Sequence, residues 1–256
     1  FMYGVDRFQR NILPTNSEHS GLTFITRPRL NLQSSSLRAD RCFAPLDGAK
    51  WDALPFAIRA YLDTALSTKT TDKNIKEALI ACPYIDKRSP FFTPLTNALT
   101  GISGWPDPVM QTVTTDPGFH SEDQTTALGH DELSKTYDLS LSFKDIQHGP
   151  IASIFFYWLR NMHNLLKGRQ IAYADDIDNQ RLNYTVSIYR FNLDPSRRYI
   201  TKYAKATGCF PKSVPLGAMF NFGEGELFVS SAGKFNIPFV ANKIEYNDYG
   251  ILLDFN

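Results

Sequence analysis

Cysteine is scarce: Cys42, Cys82 and Cys209 are the three in a chain of 256 residues. They lie far apart and no C-x-x-C spacing joins them. That argues against a disulfide framework and a cysteine-rich zinc site, and a reducing compartment is the simpler expectation. Excess charge is missing too. With 27 basic and 26 acidic residues, no global field draws the protein onto nucleic acid or an anionic membrane. Long apolar runs are absent: nothing approaches the ~20 residues of a membrane span, and Phe1 to Arg7 holds no stretch of signal-peptide length. The expectation is a soluble protein assembled in a cytoplasm, with no membrane partner, in which the sequon Asn183-Tyr184-Thr185 is a chance match.

Catalytic signatures are lacking as well. The histidines His19, His120, His130, His148 and His163 form no H-E-x-x-H and no i, i+4 pair. His120 and His130-Asp131-Glu132 share a stretch that reads as a solvated loop. Asp175-Asp176-Ile177-Asp178-Asn179 clusters oxygen ligands but has neither the glycine nor the distant glutamate of a calcium loop, and reads as an acidic turn between strands. Gly223-Glu224-Gly225-Glu226 carries acids that would repel a phosphate. Cys209 has no neighbouring histidine to activate it. No nucleophile elbow, phosphate loop or dinucleotide fingerprint occurs, so no residue is nominated as catalytic, cofactor-binding or metal-binding.

What is present is apolar material, 43% of residues with 13% aromatics, ample for one sizeable core with an appendage. Residues 1–50 are polar and irregular apart from a strand candidate, Leu22 to Thr26, stopped at Arg27-Pro28-Arg29 because proline has no ladder donor. They read as an extended, locally basic arm laid over another surface. A helix is expected over Trp51 to Ser67, with Asp52 as cap, Pro55 in the first turn, and Ile58, Tyr61, Leu62, Ala65 and Leu66 on one face. A second is expected over Lys73 to Ala81, ended by Cys82-Pro83. Pro83, Pro90, Pro94, Pro106 and Pro108 mark a connector. The division falls there: an N-terminal arm and helical extension over 1–104, and a β domain over 105–256.

In the second part Val109 to Val113 suits a strand and Thr114 to Lys135 a long polar loop. Tyr137 to Lys144 is a half-buried strand, since Leu139, Leu141 and Phe143 alternate with polar residues. The clearest element is the helix Pro150 to Lys167. Ile151, Ile154, Phe155, Trp158, Leu159, Met162, Leu165 and Leu166 share one face, Pro150 sits in the first turn and Gly168 is a stop. Strands are expected at Ile171 to Ala174, at Tyr184 to Leu193 and Tyr199 to Thr207 as a hairpin, at Glu226 to Ser230, and at Phe235 to Tyr246, where Pro238 requires an edge or a bulge. Asn247 to Asn256 reads as a tail. The fold class is α+β, mainly antiparallel β: a sandwich or partly open barrel with one flanking helix and an N-terminal extension.

The order of these pieces resembles the tail tube proteins of contractile-tailed phages. The likeness rests on Asp138-Leu139-Ser140-Leu141-Ser142-Phe143 before the helix, Phe156-Tyr157-Trp158-Leu159 inside it, and Ala172-Tyr173-Ala174-Asp175-Asp176 after it. It continues through the hairpin Tyr184 to Asp194 with Tyr199 to Ala206, then Phe210-Pro211-Lys212-Ser213-Val214 and Lys243-Ile244-Glu245-Tyr246. The resemblance implies a virion structural protein, not an enzyme and without a cofactor. It would form a hexameric ring stacked with neighbouring tail tube or baseplate hub proteins into a conduit for DNA and tape-measure protein.

Exposed hairpin edges can join copies by strand addition. Asp194, Arg197, Tyr199, Pro211 and Lys212, with Arg27 and Arg29 of the arm, are therefore candidate assembly-interface residues. Because ordinary tube subunits lack the N-terminal extension, a baseplate-proximal ring that initiates the tube is preferred, with the repeated tube subunit as the alternative. A reading of another class is a glycan- or metal-binding hydrolase module using Asp175, Asp176, Glu224 or Glu226. A third is a binding module whose basic arm engages nucleic acid.

Overall fold

A computed structural model describes residues 20–47, 50, 53–66, 91–131, 135–145, 149–194, 197–220 and 233–255. The helix expected over Lys73 to Ala81, the strand Glu226 to Ser230, the cap Asp52, and Glu224 and Glu226 lie outside the described residues. The strands are β1 (Ser20–Ile25), β2 (Leu99–Ser103), β3 (Met110–Thr114), β4 (Thr125–Asp131), β5 (Tyr137–Lys144), β6 (Val186–Leu193), β7 (Ile200–Pro211), β8 (Lys234–Ala241) and β9 (Lys243–Tyr246). The helices are α1 (Ser34–Leu37), α2 (Leu54–Leu62), α3 (Thr93–Ala98), α4 (Pro150–Leu166), α5 (Ala174–Asp178), α6 (Leu216–Phe220) and α7 (Tyr249–Phe255), with a 3-10 turn at Arg41–Leu46.

Seven strands make one antiparallel sheet in the order β1-β6-β7-β8-β5-β2, with β9 also on β7. The sheet is bent at one corner. Ala204 to Thr207 of β7 pair with β9, whereas Phe210 and Pro211 pair with β8. Between them Gly208 has φ +67, where the pairing of β7 with β6 also shifts register. A Cβ at this position would lie 2.8 Å from Asn242 Nδ2, and Asn242 is the residue that separates β8 from β9. Glycine is needed here for its backbone conformation and for the close approach.

Bending brings the terminal strands β1 and β2 toward each other without pairing them, so the barrel stays open. Phe92 N–H donates to Ile25 O at 2.7 Å, and α3 then leads from the β1 edge into β2.

The concave face holds α4. Gly149 caps it with φ 64, Pro150 opens the first turn, and Asp145 Oδ1 accepts the Ile151 N–H at 3.1 Å. Ile151, Ile154, Phe155 and Trp158 are buried against the sheet, as is Met162, while Leu159 is partly covered. Trp158 stacks on Phe155 and meets Phe239 edge-on, and its Nε1–H donates to Tyr184 O at 2.9 Å. The apolar face ends a turn earlier than the spacing suggests: Leu166 is 77% exposed, and Asn161 and Asn164 are buried instead.

The N-terminal residues differ most from expectation. Ile25, Leu30, Leu32, Leu37, Phe43 and Leu46 are buried in the same cluster as Trp158 and Phe239. Packing is thus continuous across residue 104, and residues 25–46 are core rather than a superficial arm.

Further differences follow from tertiary contacts. The strand expected at Ile171 to Ala174 is absent, and Asp175 and Asp176 open α5 instead of a turn between strands. The expected C-terminal tail is α7, docked on the outer face of the sheet through Ile251, Leu252 and Phe255 against Phe24, Phe91, Tyr189 and Phe191. Pro238 pairs across from Ser140 of β5, and its carbonyl accepts Lys212 N–H at 2.8 Å just beyond the end of β7. Since N and C=O of one residue point to the same side of a strand, its missing donor faces the side β7 has left.

Candidate assembly interface

β3 falls on the strand expected at Val109 to Val113, but part of the polar loop expected over Thr114 to Lys135 is the strand β4, and the two form a ribbon. β3 and β4 pair through Thr112↔Ala127, Val113↔Thr126 and Thr114↔Thr125, apart from the main sheet. The Thr114 and Thr125 hydroxyls lie 3.0 Å apart, and Thr115 N–H donates to Gln124 O at 2.9 Å. At the tip Gly118 N–H donates to Glu122 O at 2.8 Å, and Glu122 Oε2 accepts the His120 N–H at 2.7 Å. Phe119 is 95% exposed there, and Met110, Val113 and Leu128 along the ribbon are exposed too. A two-stranded hairpin is only marginally stable in water, and exposed apolar side chains on it call for a covering surface.

At the ribbon's base the concave face that α4 does not fill opens into a cleft of about 480 Å³. Trp105 and Tyr246 are its aromatic walls, and Arg190, Lys202 and Asp107 its charged groups. Tyr246 donates to Pro106 O at 2.7 Å, and burial together with Asp107 pushes its hydroxyl up to about 12. Arg190 donates to Thr23 Oγ1 at 2.9 Å, and desolvation lowers its pKa. Among the described residues neither Arg190 nor Lys202 forms an ion pair.

The residues nominated from the sequence fall into two groups. Asp194, Arg197 and Tyr199 form the exposed end of the β6–β7 hairpin: Asp194 Oδ1 accepts the N–H groups of Arg198 and Tyr199 at 2.8 and 3.0 Å, and Tyr199 is 72% exposed. Lys212 is exposed and lies 3.5 Å from Asp138. The others are engaged inside the chain. Pro211 is buried at the end of β7. Arg27 donates to the carbonyls of Ala60 and Tyr61 at 2.6 and 3.3 Å, satisfying the C-terminal end of α2. Arg29 pairs with Asp176 at 3.3 Å and Asp175 at 3.6 Å, and lies over the Tyr173 ring.

The acidic run at 175–178 thus meets an internal cation. Among the described residues no three of His, Cys, Asp or Glu are grouped as a metal ion would require. The side chains of His130 and Asp131, and Glu132 itself, lie outside the described residues.

Two buried polar networks went unread in the sequence. Asp40 accepts from Arg160, from Asn164 Nδ2 at 2.9 Å and from Cys42 N–H at 3.0 Å, and Arg160 above all holds its carboxyl well below the usual range. Asp63 accepts from Leu32 N–H, Ala65 N–H and the Tyr173 hydroxyl, with buried Arg59 nearby, yet burial pushes it up to about 6. The first joins the N-terminal segment to α4, and the second joins that segment to the end of α2 and to the residues after α4. The Cys209 thiol is pushed up to about 12 by burial, which keeps it protonated and inert at neutral pH.

Together these features define a class: an α+β protein with an open, bent antiparallel sheet, internally paired charges and a projecting ribbon. The chain belongs to the family described as "Putative phage tail tube protein", which matches residues 2–256. Membership in a tail tube family makes it a virion tail component. No curated protein matches the sequence.

Among solved structures it is similar to the anti-feeding prophage cap, a tube-terminating cap, at 12% identity over 58% of this chain and 79% of that one, with a TM-score of 0.34. It is also similar to a chain of the sheath-tube complex of an extracellular contractile injection system in the extended state, at 11% identity over 58% and 80%, with a TM-score of 0.34. A chain of the sheath/tube terminator of that kind of system matches at 10% identity over 59% and 85%, with a TM-score of 0.31.

Proposed function

We propose that the protein is a ring-forming subunit of the tail tube of a contractile-tailed phage. Its hexameric rings stack with neighbouring tube or baseplate proteins, and DNA and the tape-measure protein pass through the lumen. In this reading it performs no catalysis. The observation that carries the proposal is the β3–β4 ribbon, whose exposed apolar side chains have no cover within the described residues of a chain whose family is that of a tail tube. The edge of β2, and that of β1 before Ile25, add backbone donors and acceptors for head-to-tail contacts, the kind that close into rings. A formal net charge of +1 suits a conduit that must not grip its DNA.

The preference for an initiator ring requires the N-terminal residues to be an addition to the tube pattern. The family match runs through them, from residue 2 onward, and residues 25–46 help build the core. Both observations support the repeated tube subunit as the first reading, with the initiator ring second.

Negative-stain electron microscopy of the purified protein, alone and with its tail partners, tests this. Rings or tubes are expected. Persistent monomers at high concentration with every partner would overturn the assignment. Immunogold labelling along the whole tail, rather than at one end, separates the repeated subunit from the initiator.

A further inference from the structure

We infer that the ribbon tip of one copy docks into the aromatic cleft at the ribbon base of the next, with Phe119 as the inserted side chain. The inference rests on the ring-subunit reading and specifies one of its interfaces. The tip carries Asp116, Glu122 and Asp123 around Phe119, and no Lys or Arg occurs from Met110 to Ser134. The cleft offers Trp105 and Tyr246 to an aromatic ring, and Arg190 and Lys202 to carboxylates, against the single acid Asp107. At about 480 Å³ it is larger than one phenylalanine side chain and leaves room for the backbone that carries it.

Charge and size therefore match between two surfaces of the same molecule. They cannot meet within one chain. The cleft wall Trp105 to Pro108 immediately precedes the ribbon, and the ladder from Met110 to the turn at Gly118 holds the tip about 25 Å away at ~3.3 Å per residue. Only a neighbour's tip can enter. Because tip and cleft are different patches, the contact is heterologous and propagates from copy to copy.

Arg190 already donates to Thr23 and lies against Gly21, so exposed Lys202 is the better residue to change. Phe119→Asp is expected to leave the circular dichroism spectrum and Tm unchanged and to raise the concentration at which particles form by about tenfold or more. Lys202→Glu is expected to weaken assembly in the same direction, and the added changes Glu122→Lys and Asp123→Lys to restore it. Mixed Phe119→Cys and Lys202→Cys proteins are expected to yield an oxidative cross-link that neither gives alone.

Wild-type protein that never assembles would overturn both this contact and the ring reading. Normal assembly of Phe119→Asp, or assembly of the mixed cysteine variants without a cross-link, would give the cleft another occupant and overturn the docking alone.

Discussion

The Tyr173 hydroxyl donates a 2.7 Å hydrogen bond to Asp63 Oδ2, joining the segment after α4 to the residue that ends α2. The same oxygen accepts Leu32 N–H at 2.9 Å, and Oδ1 accepts Ala65 N–H at 3.0 Å. Burial and the neighbouring Asp63 push the Tyr173 hydroxyl upward, so it keeps its proton. Tyr173→Phe removes a bond to a charged acceptor inside the protein and should cost about 1.5–3 kcal/mol. The urea midpoint is expected to fall with an unchanged m-value.

Asp63 also sets a pH dependence. Its folded value, about 6, lies above the ordinary ~3.9 of an unfolded aspartate. The stability this group contributes is fully present below the unfolded value and is lost as pH rises through about 6. Asp40 has the opposite sign: its depressed value gives stability above the unfolded value that is lost on further acidification. Denaturation curves should therefore show a decline from about pH 4 to 7 in wild type that Asp63→Asn flattens, and, when extended below about pH 4, an acid limb that Asp40→Asn flattens.

Trp158 is enclosed by Phe155 and Phe239 and is fully buried. Trp158→Ala should cost about 3–5 kcal/mol. Trp158→Phe keeps most of the packing but leaves Tyr184 O without its donor, for about 1–3 kcal/mol. Guanidinium unfolding of the two variants gives the ordering directly.

Gly208 controls the corner between the two halves of the sheet. Gly208→Ala combines a positive φ with a clash at Asn242, an expected cost of about 1–3 kcal/mol. Combining it with Asn242→Ala relieves the clash but not the backbone strain, so a double-mutant cycle by thermal unfolding should recover only part of the loss.

Deleting residues 1–50 removes β1 together with Ile25, Leu30, Leu32, Phe43 and Leu46. The remainder should lose its cooperative transition and enter inclusion bodies. A truncated chain that unfolds sharply near the wild-type temperature would show that these side chains are not core.

Several elements were legible because burial on one side imposes a period. The face Ile151, Ile154, Phe155, Trp158 and the alternation Leu139, Leu141, Phe143 each bury a single surface, so spacing alone locates α4 and β5. The ribbon had no such contrast. Both of its faces meet solvent, and Thr125 to Asp131 consequently reads as loop. Leu30, Leu32 and Phe43 are buried from irregular segments, where no period exists to betray them. Arg59 and Asp63 have the spacing of an exposed helical pair, yet both are buried beneath the N-terminal segment. Among the assembly candidates, Pro211 is buried at the end of β7 and Arg27 and Arg29 make internal contacts, which charge and position along the chain do not reveal.

The sequence by itself determined the α+β class, the central helix, the principal hairpin and the tail tube likeness, since all of these depend on local order and one-sided burial. Only the tertiary structure decided that the N-terminal segment is core, that the polar stretch after Thr114 is a projecting ribbon, and that an aromatic cleft lies at its base. Those features arise from contacts between residues far apart in the chain, to which no local period corresponds.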